Sequence, residues 1–314
     1  MKPLNWLWGR RGRSGPTICI SLIKNEQDII EPFLRHNRRF FDEMIVLDHG
    51  STDDTAAIAQ RCAQELGHIH ITPIEEPAYH QSKFTTEALQ AAVRDYHPDY
   101  VVFLDADEFI GSESRAAFER VLSRMPARAC GEVRWQTYLP APMASPPPDP
   151  IAQIAFRREA ELPQFSKIIL RLAGQAADQI VIGQGNHSAT RREKALKTVP
   201  LPDLCLMHFP VRSREQFIAK CAVGWSTHLK RADRSEVQAF QWEKVGRLVV
   251  EEGAALDTLD VDLSQAALEY AQDFPPPVWP QNTVAARPDI FYERKYSDGK
   301  FADPARLIAE ALKT

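Results

Sequence analysis

From Thr17 to Phe109 the chain alternates short runs of strand-forming residues with longer stretches of helical period, and this restricts the fold more than any other feature. TICISLI is followed by DIIEPFLRHNRRFF, MIVLD by DDTAAIAQRCAQEL, HIHITPI by QSKFTTEALQAAVRDY, and YVVFLD closes the series. Strand and helix by turns predict an α/β fold: a mostly parallel sheet flanked by helices, with ligands gathering beyond the carboxyl ends of the strands. Asp53 is a plausible N-cap for the helix beginning near Asp54, and Ser112 for the helix carrying Phe118, Val121 and Leu122.

After Met125 the character changes. CGEVRWQTYLP and FSKIILRL read as strands, separated by PAPMASPPPDP, whose proline density forbids regular structure. That segment is expected to be a long surface loop, either a lid or acceptor-side wall or a passive connector. Beyond His208 the pattern turns helical, with Phe217, Cys221, Trp225 and Leu229 on one stripe and Val237, Phe240, Lys244, Val245 and Leu248 on another. FPPPVWP breaks the chain again, and Asp303-Pro304 opens a last helix. The expected organisation is a leader over 1–15, one α/β domain over 16–230 and a helical C-terminal extension over 231–314.

A chain of 314 residues can bury a substantial core, and 44% hydrophobic with 25% charged residues is the balance of a soluble globular protein. No run of about 18 apolar residues is present to span a bilayer. The net charge of -4 offers no broad attraction for nucleic acid, which argues against such a partner. Five scattered cysteines, never at CxxC spacing, suggest neither a disulfide framework nor a zinc site, and a reducing cytosol fits them best. The leader MKPLNWLWGRRGRSG lacks the long apolar core of a secretory signal. Its Trp6, Leu7 and Trp8 beside Arg10, Arg11 and Arg13 suit a peripheral contact with an anionic membrane face, with a disordered terminus as the competing reading.

Chemistry concentrates in YVVFLDADEF, where an apolar run ends in Asp105, Asp107 and Glu108. On an extended segment Asp105 and Asp107 would project to one side and share one hard cation or one polar ligand. Neighbouring carboxylates repel unless something positive lies between them, and a divalent metal carrying a substrate's phosphates is one remedy. A second acidic site, VLDHGSTDDT, places Asp48 and Asp53 around a Gly-Ser-Thr turn, where turn-making and capping are a sufficient reason for both. With SLIKNE after the first strand, polar residues stand at three neighbouring strand ends.

These motifs resemble the family 2 glycosyltransferases with their GT-A fold, in particular the non-processive bacterial branch with a late HFP-type motif, over roughly Pro16 to Lys230. The resemblance implies that Asp48 accepts the uracil N3 proton and that Asn25 and Glu26 are neighbouring nucleoside contacts, with Asp53 beside them. It makes Asp105 similar to the family's ribose and metal-shell carboxylate and Asp107 to the direct ligand of Mn2+ or Mg2+. Lys83 stands where the family often has a phosphate or ribose contact, although a solvated helix residue is the simpler account. His208 either completes the metal shell or is a structural histidine at a strand end. Arg212, Ser213 and Lys220 match the branch's HFPxRSxEQFxxK pattern, as diphosphate contacts or as decoration of a helix start. The resemblance further implies a UDP-sugar donor, a glycan or lipid-linked acceptor, inversion of configuration, and a place in bacterial surface polysaccharide assembly.

The acceptor half departs from the family pattern. No Glu-Asp pair of the kind whose Asp serves as base occurs between Met125 and Met207, which leaves His187, Glu132 and Asp178 as candidates. The QxxRW motif of processive synthases is missing, and His49 replaces the asparagine usual in the DNGS turn. A dehalogenase-type phosphatase would carry its nucleophilic Asp on the first strand, and a nucleotidylyltransferase or dehydrogenase would need a glycine-rich loop that SLIKNEQ lacks. The competing reading from another class is an inactive module that binds a sugar nucleotide or scaffolds an assembly.

Overall fold

The computed structural model describes residues 15–76, 80–142, 149–161, 166–172, 174, 177, 179–230, 240–271, 277–291 and 293–313. The first half builds β1 (Thr17–Ile23), α1 (Ile30–Asn37), β2 (Glu43–Asp48), α2 (Thr55–Leu66), β3 (Ile69–Pro73), α3 (Gln81–Tyr96), β4 (Tyr100–Phe103), β5 (Glu108–Gly111) and α4 (Arg115–Ser123). Strands follow in the middle: β6 (Cys130–Pro140), β7 (Ile154–Arg158), β8 (Ser166–Arg171), β9 (Ile180–Ile182), β10 (Ala189–Arg191), β11 (Lys194–Ala195) and β12 (Thr198–His208). The last part holds α5 (Arg214–Lys230), α6 (Phe240–Val250), α7 (Leu263–Glu269), β13 (Thr283–Ala285) and α8 (Pro304–Lys313).

The main sheet runs β13-β7-β6-β8-β4-β1-β2-β3, with β12 paired to β5 and β6. β3, β2, β1 and β4 are parallel, as the alternation predicts, and β1 is the buried centre: all seven of its residues are covered. Its side chains divide between two cores because a strand points successive residues to opposite faces. Cys19 and Ile23 join Phe33, Phe41, Val102 and Phe109 on one face. Ile18, Ile20 and Leu22 join Leu89, Val101, Phe103 and Ile168 on the other, under α3. Beyond β4 the sheet becomes mixed, since β8 runs antiparallel to β4 and β6.

The C-terminal part is helical and also gives the sheet one short strand, β13, beside β7. It is fastened to the main body by buried polar groups. The Arg158 guanidinium donates to the carbonyls of Ala267, Leu268 and Tyr270 at 2.9, 3.0 and 2.6 Å, tying β7 to the end of α7. Glu31 on α1 accepts the backbone amides of Lys295, Tyr296 and Ser297 at 2.8, 2.9 and 2.9 Å.

Several local expectations need correction. Asp54, not Asp53, holds the N-cap position of α2, and no side chain caps it; Asp53 accepts instead from the Thr55 amide at 3.0 Å and the Gln27 amide at 3.3 Å. Ser114 caps α4 through the Ala117 amide at 3.2 Å, while the Ser112 hydroxyl donates to the Ser114 carbonyl. On α5 the buried face turns from Phe217 and Cys221 toward Ile218, Ala222 and Ser226, leaving Trp225 and Leu229 half-buried. Lys244 is exposed, and Val237 and the Phe240 side chain lie outside the described residues. So do residues 1–14 and 143–148, which carry most of the expected leader and the centre of the expected proline loop. No helix among the described residues is long and apolar enough to cross a membrane.

Candidate active site

Because Ile23 pairs with Asp48 and Ile20 with Phe103, the exits of β2, β1 and β4 lie side by side at one rim of the sheet. The first two exits are laced together. The Asn25 amide donates to Ser51 Oγ at 3.0 Å, the Thr52 amide to Asn25 Oδ1 at 2.8 Å, and the Glu26 amide to Thr55 Oγ1 at 2.7 Å. Asn25 adopts φ 55°, a left-handed conformation that asparagine tolerates better than most residues, and Gly50 adopts φ 65° in the facing turn. Asp48 Oδ1 accepts both the amide and the hydroxyl of Ser51, at 3.1 and 2.5 Å. His49 is buried, its Nε2 2.9 Å from the Glu76 carbonyl and its ring tilted against Phe84.

The third exit is a tight turn. The Glu108 amide donates to the Asp105 carbonyl at 3.0 Å between the end of β4 and the start of β5. Asp105 and Asp107 therefore lie on a turn and not on the one extended segment that the sequence pattern suggested. Lys167 Nζ meets Asp105 Oδ2 at 2.5 Å, whereas Lys220 Nζ donates to Asp107 Oδ2 at 2.8 Å. β12 runs antiparallel to β5 with His208 opposite Glu108, which brings His208 Nε2 to 3.9 Å from Asp107 Oδ1. Glu108 is fully buried and accepts Trp135 Nε1 at 2.6 Å and the Asp105 amide at 2.9 Å.

Burial and charge set the protonation states. Burial alone would raise the Asp107 carboxyl, but Lys220, His208 and Arg212 outweigh it and hold it well below the usual carboxylate range. Burial pushes Glu108 up to about 8 and Glu26 up to about 7. It pushes His208 down to about 3, so that ring is neutral and stacks on Trp135 with centroids 4.3 Å apart. Lys167 and Lys220 keep their protons despite burial because Asp105 and Asp107 respectively offset its cost.

Other expected contacts fall elsewhere. Arg212 is not available to a diphosphate in this arrangement. It is buried, grips Asp28 through Nε at 2.8 Å and Nη2 at 3.1 Å, and reaches Glu26 Oε2 at 2.5 Å. It thus joins the exit of β1 to the segment before α5. Lys83 pairs with Glu76 at 2.6 Å on an exposed surface. On the acceptor side His187 Nδ1 lies 2.9 Å from the Ser166 carbonyl, and Glu132 Oε1 accepts the Ser166 hydroxyl at 2.6 Å. Burial and then Lys167 lower His187 to about 4. Asp178 lies outside the described residues. Lys167, Trp135 and Asp28 belong to this cluster and were missed. The one available signal was Lys167, a lysine inside the apolar strand FSKIILRL, since a buried ammonium needs a carboxylate.

A divalent cation fits Asp107 and His208 as a partial shell. Among the described residues no group of three or more His, Cys, Asp or Glu converges as a ready-made metal site. Mg2+ and Mn2+, however, take one or two protein ligands when substrate phosphates and water supply the rest. A neutral imidazole and an ionised carboxylate 3.9 Å apart are compatible donors. Among the described residues the buried Nδ1 of His208 finds no hydrogen-bond partner, and the ring stacks on Trp135.

A helix-flanked sheet with three polar strand ends and an acidic turn at one rim agrees with the α/β arrangement expected from the sequence. Residues 18–129 match the family described as Glycosyl transferase family 2. Solved structures similar to this chain include the mannosyltransferase PcManGT from Pyrobaculum calidifontis in complex with GDP-Man and Mn2+, 22% identical, covering 39% of this chain and 36% of that one, TM-score 0.31. Glucosyl-3-phosphoglycerate synthase from Mycobacterium tuberculosis, in complex with Mn2+, UDP and glucosyl-3-phosphoglycerate, is 20% identical over 42% of this chain and 52% of that one, TM-score 0.28. S. aureus TarS 1-349 is 16% identical over 79% and 76%, TM-score 0.37. The first two matches span about a third and a half of those proteins' lengths.

Proposed function

We propose that the domain transfers a glycosyl group from a nucleotide diphosphate sugar, a UDP-sugar, to a hydroxyl of a glycan or lipid-linked acceptor, with inversion. The reading extends to a cytosolic enzyme of surface polysaccharide assembly, a step that rests on family likeness alone. The observation that carries the chemistry is the meeting of three polar strand ends at one rim, where Asp107 and His208 face each other at 3.9 Å. In this reading Asp48 accepts from the base, Asn25, Glu26 and Asp53 line the nucleoside, and Asp105 takes the ribose. Asp107 and His208 hold Mn2+ or Mg2+, which when bound offsets the charge developing on the departing diphosphate. Lys220, 2.8 Å from Asp107, lies close enough to add its ammonium to that anion.

His187 is the preferred base. With Nδ1 2.9 Å from the Ser166 carbonyl, Nε2 is the nitrogen this reading assigns to the acceptor's proton, and the lowered pKa keeps the ring neutral at neutral pH. Glu132 is the runner-up, one hydroxyl away. Calorimetric titration of UDP with and without Mn2+, followed by UDP release from a panel of UDP-sugars, tests the whole. Metal-enhanced binding with turnover is the expected result. Binding without turnover would mark a donor-binding module, and no binding at all would sink the proposal.

A further inference from the structure

Lys167 is 2% exposed at its side chain, in a strand whose following residues Ile168, Ile169 and Leu170 are buried and apolar. Val102 of β4 pairs with Ile169, so Lys167, two residues nearer the start of β8, reaches past the end of β4 to the acidic turn. Its ammonium meets Asp105 Oδ2 at 2.5 Å, the Gly185 carbonyl at 2.9 Å and Glu108 Oε1 at 3.5 Å. Gly185 belongs to the loop that carries His187, and the neighbouring Ser166 carbonyl holds the His187 ring at 2.9 Å. That loop needs holding. Gly185 and Asn186 both have positive φ, 68° and 58°, and a Cβ on Gly185 would lie 2.4 Å from the His187 ring.

We infer that Lys167 is a positioning residue that couples the donor-side carboxylate Asp105 to the loop carrying His187, so that one buried ammonium keeps the two halves of the active site in register. The catalytic meaning of this coupling rests on the proposed function; the coupling itself does not. Without the ammonium, Asp105 loses its ionic partner and the Gly185 carbonyl loses its donor.

Hydrogen–deuterium exchange over residues 180–190 of the ligand-free protein reads the coupling directly. Lys167→Met is expected to speed exchange at Gly185 and Asn186 by about tenfold, and Asp105→Asn, which leaves the lysine but removes its ionic partner, by about threefold. Unchanged protection in Asp105→Asn overturns the inference, and that variant decides the matter even where Lys167→Met fails to fold. In Mn2+-dependent hydrolysis of the UDP-sugar that the wild type turns over fastest, Lys167→Met lowers kcat by about 100-fold and shifts KM by less than about threefold. The double variant falls no further than Asp105→Asn alone. A lysine that only supports the fold would lower the thermal midpoint, leave kcat of the folded fraction intact and give additive effects, which also overturns the inference. A wild type that binds no UDP, together with a loosened loop in Asp105→Asn, would sink the proposed function and leave the coupling standing.

Discussion

At the scale of single residues, two acids separated by one alanine have opposite surroundings. Asp107 is enclosed by Lys220, Arg212 and His208, while Asp105 is partly exposed and held by Lys167. Asp107→Asn is expected to weaken Mn2+-dependent UDP binding by about 100-fold with an unchanged circular dichroism spectrum, and unaltered affinity in calorimetry would count against the metal role. A second residue, His36, gives a pH prediction away from the site. Its Nε2 lies 2.9 Å from the Ile110 carbonyl and its Nδ1 accepts the Phe291 amide at 3.2 Å, so the folded protein holds the neutral ring, and burial lowers its pKa from 6.5 to about 4. Between those values the unfolded chain binds the extra proton, so this contribution is complete above about pH 6.5 and is lost as pH falls toward 4, by at most about 3 kcal/mol. Urea unfolding of wild type and His36→Gln across pH 4 to 7 checks it: the difference between them should shrink as the pH falls, and a constant difference would refute it.

At the scale of elements, a strongly periodic sequence announces itself and an interrupted one does not. TICISLI, QSKFTTEALQAAVRDY and CGEVRWQTYLP coincide with β1, α3 and β6. β5 escaped because four residues carry too little pattern, and most of β12 because prolines interrupt TVPLPDLCLMH and its register shifts between Pro200 and Cys205. The same limit applies at the site. Asp48, Asp105, Asp107 and His208 were legible as polar residues ending apolar runs, whereas the partners of Arg212 and Lys167 are 184 and 62 residues away in the chain, beyond any local signal. The cap of α4 offers a clean contrast. Ser114→Ala is expected to cost about 1 kcal/mol in urea unfolding, and Ser112→Ala less than about 0.5 kcal/mol; equal effects would contradict the capping geometry.

At the scale of the whole molecule, the C-terminal part is bound to the main sheet and α1 by groups that accept or donate several bonds at once. Glu31 alone takes three backbone amides. Glu31→Ala is expected to speed tryptic cleavage after Lys295 by about tenfold while the sheet stays folded, and a digestion rate equal to wild type would show that other contacts suffice. Lys167 and Lys220, finally, mean that the acidic turn brings its own counter-ions. Many metal-dependent proteins loosen when stripped, since the ion is what offsets their carboxylates. Here the acidic turn is neutralised from within, so EDTA should shift the protein's melting temperature by less than about 1 °C. Under the proposed function, the fold around that turn would not depend on a bound metal to hold it together between one donor and the next.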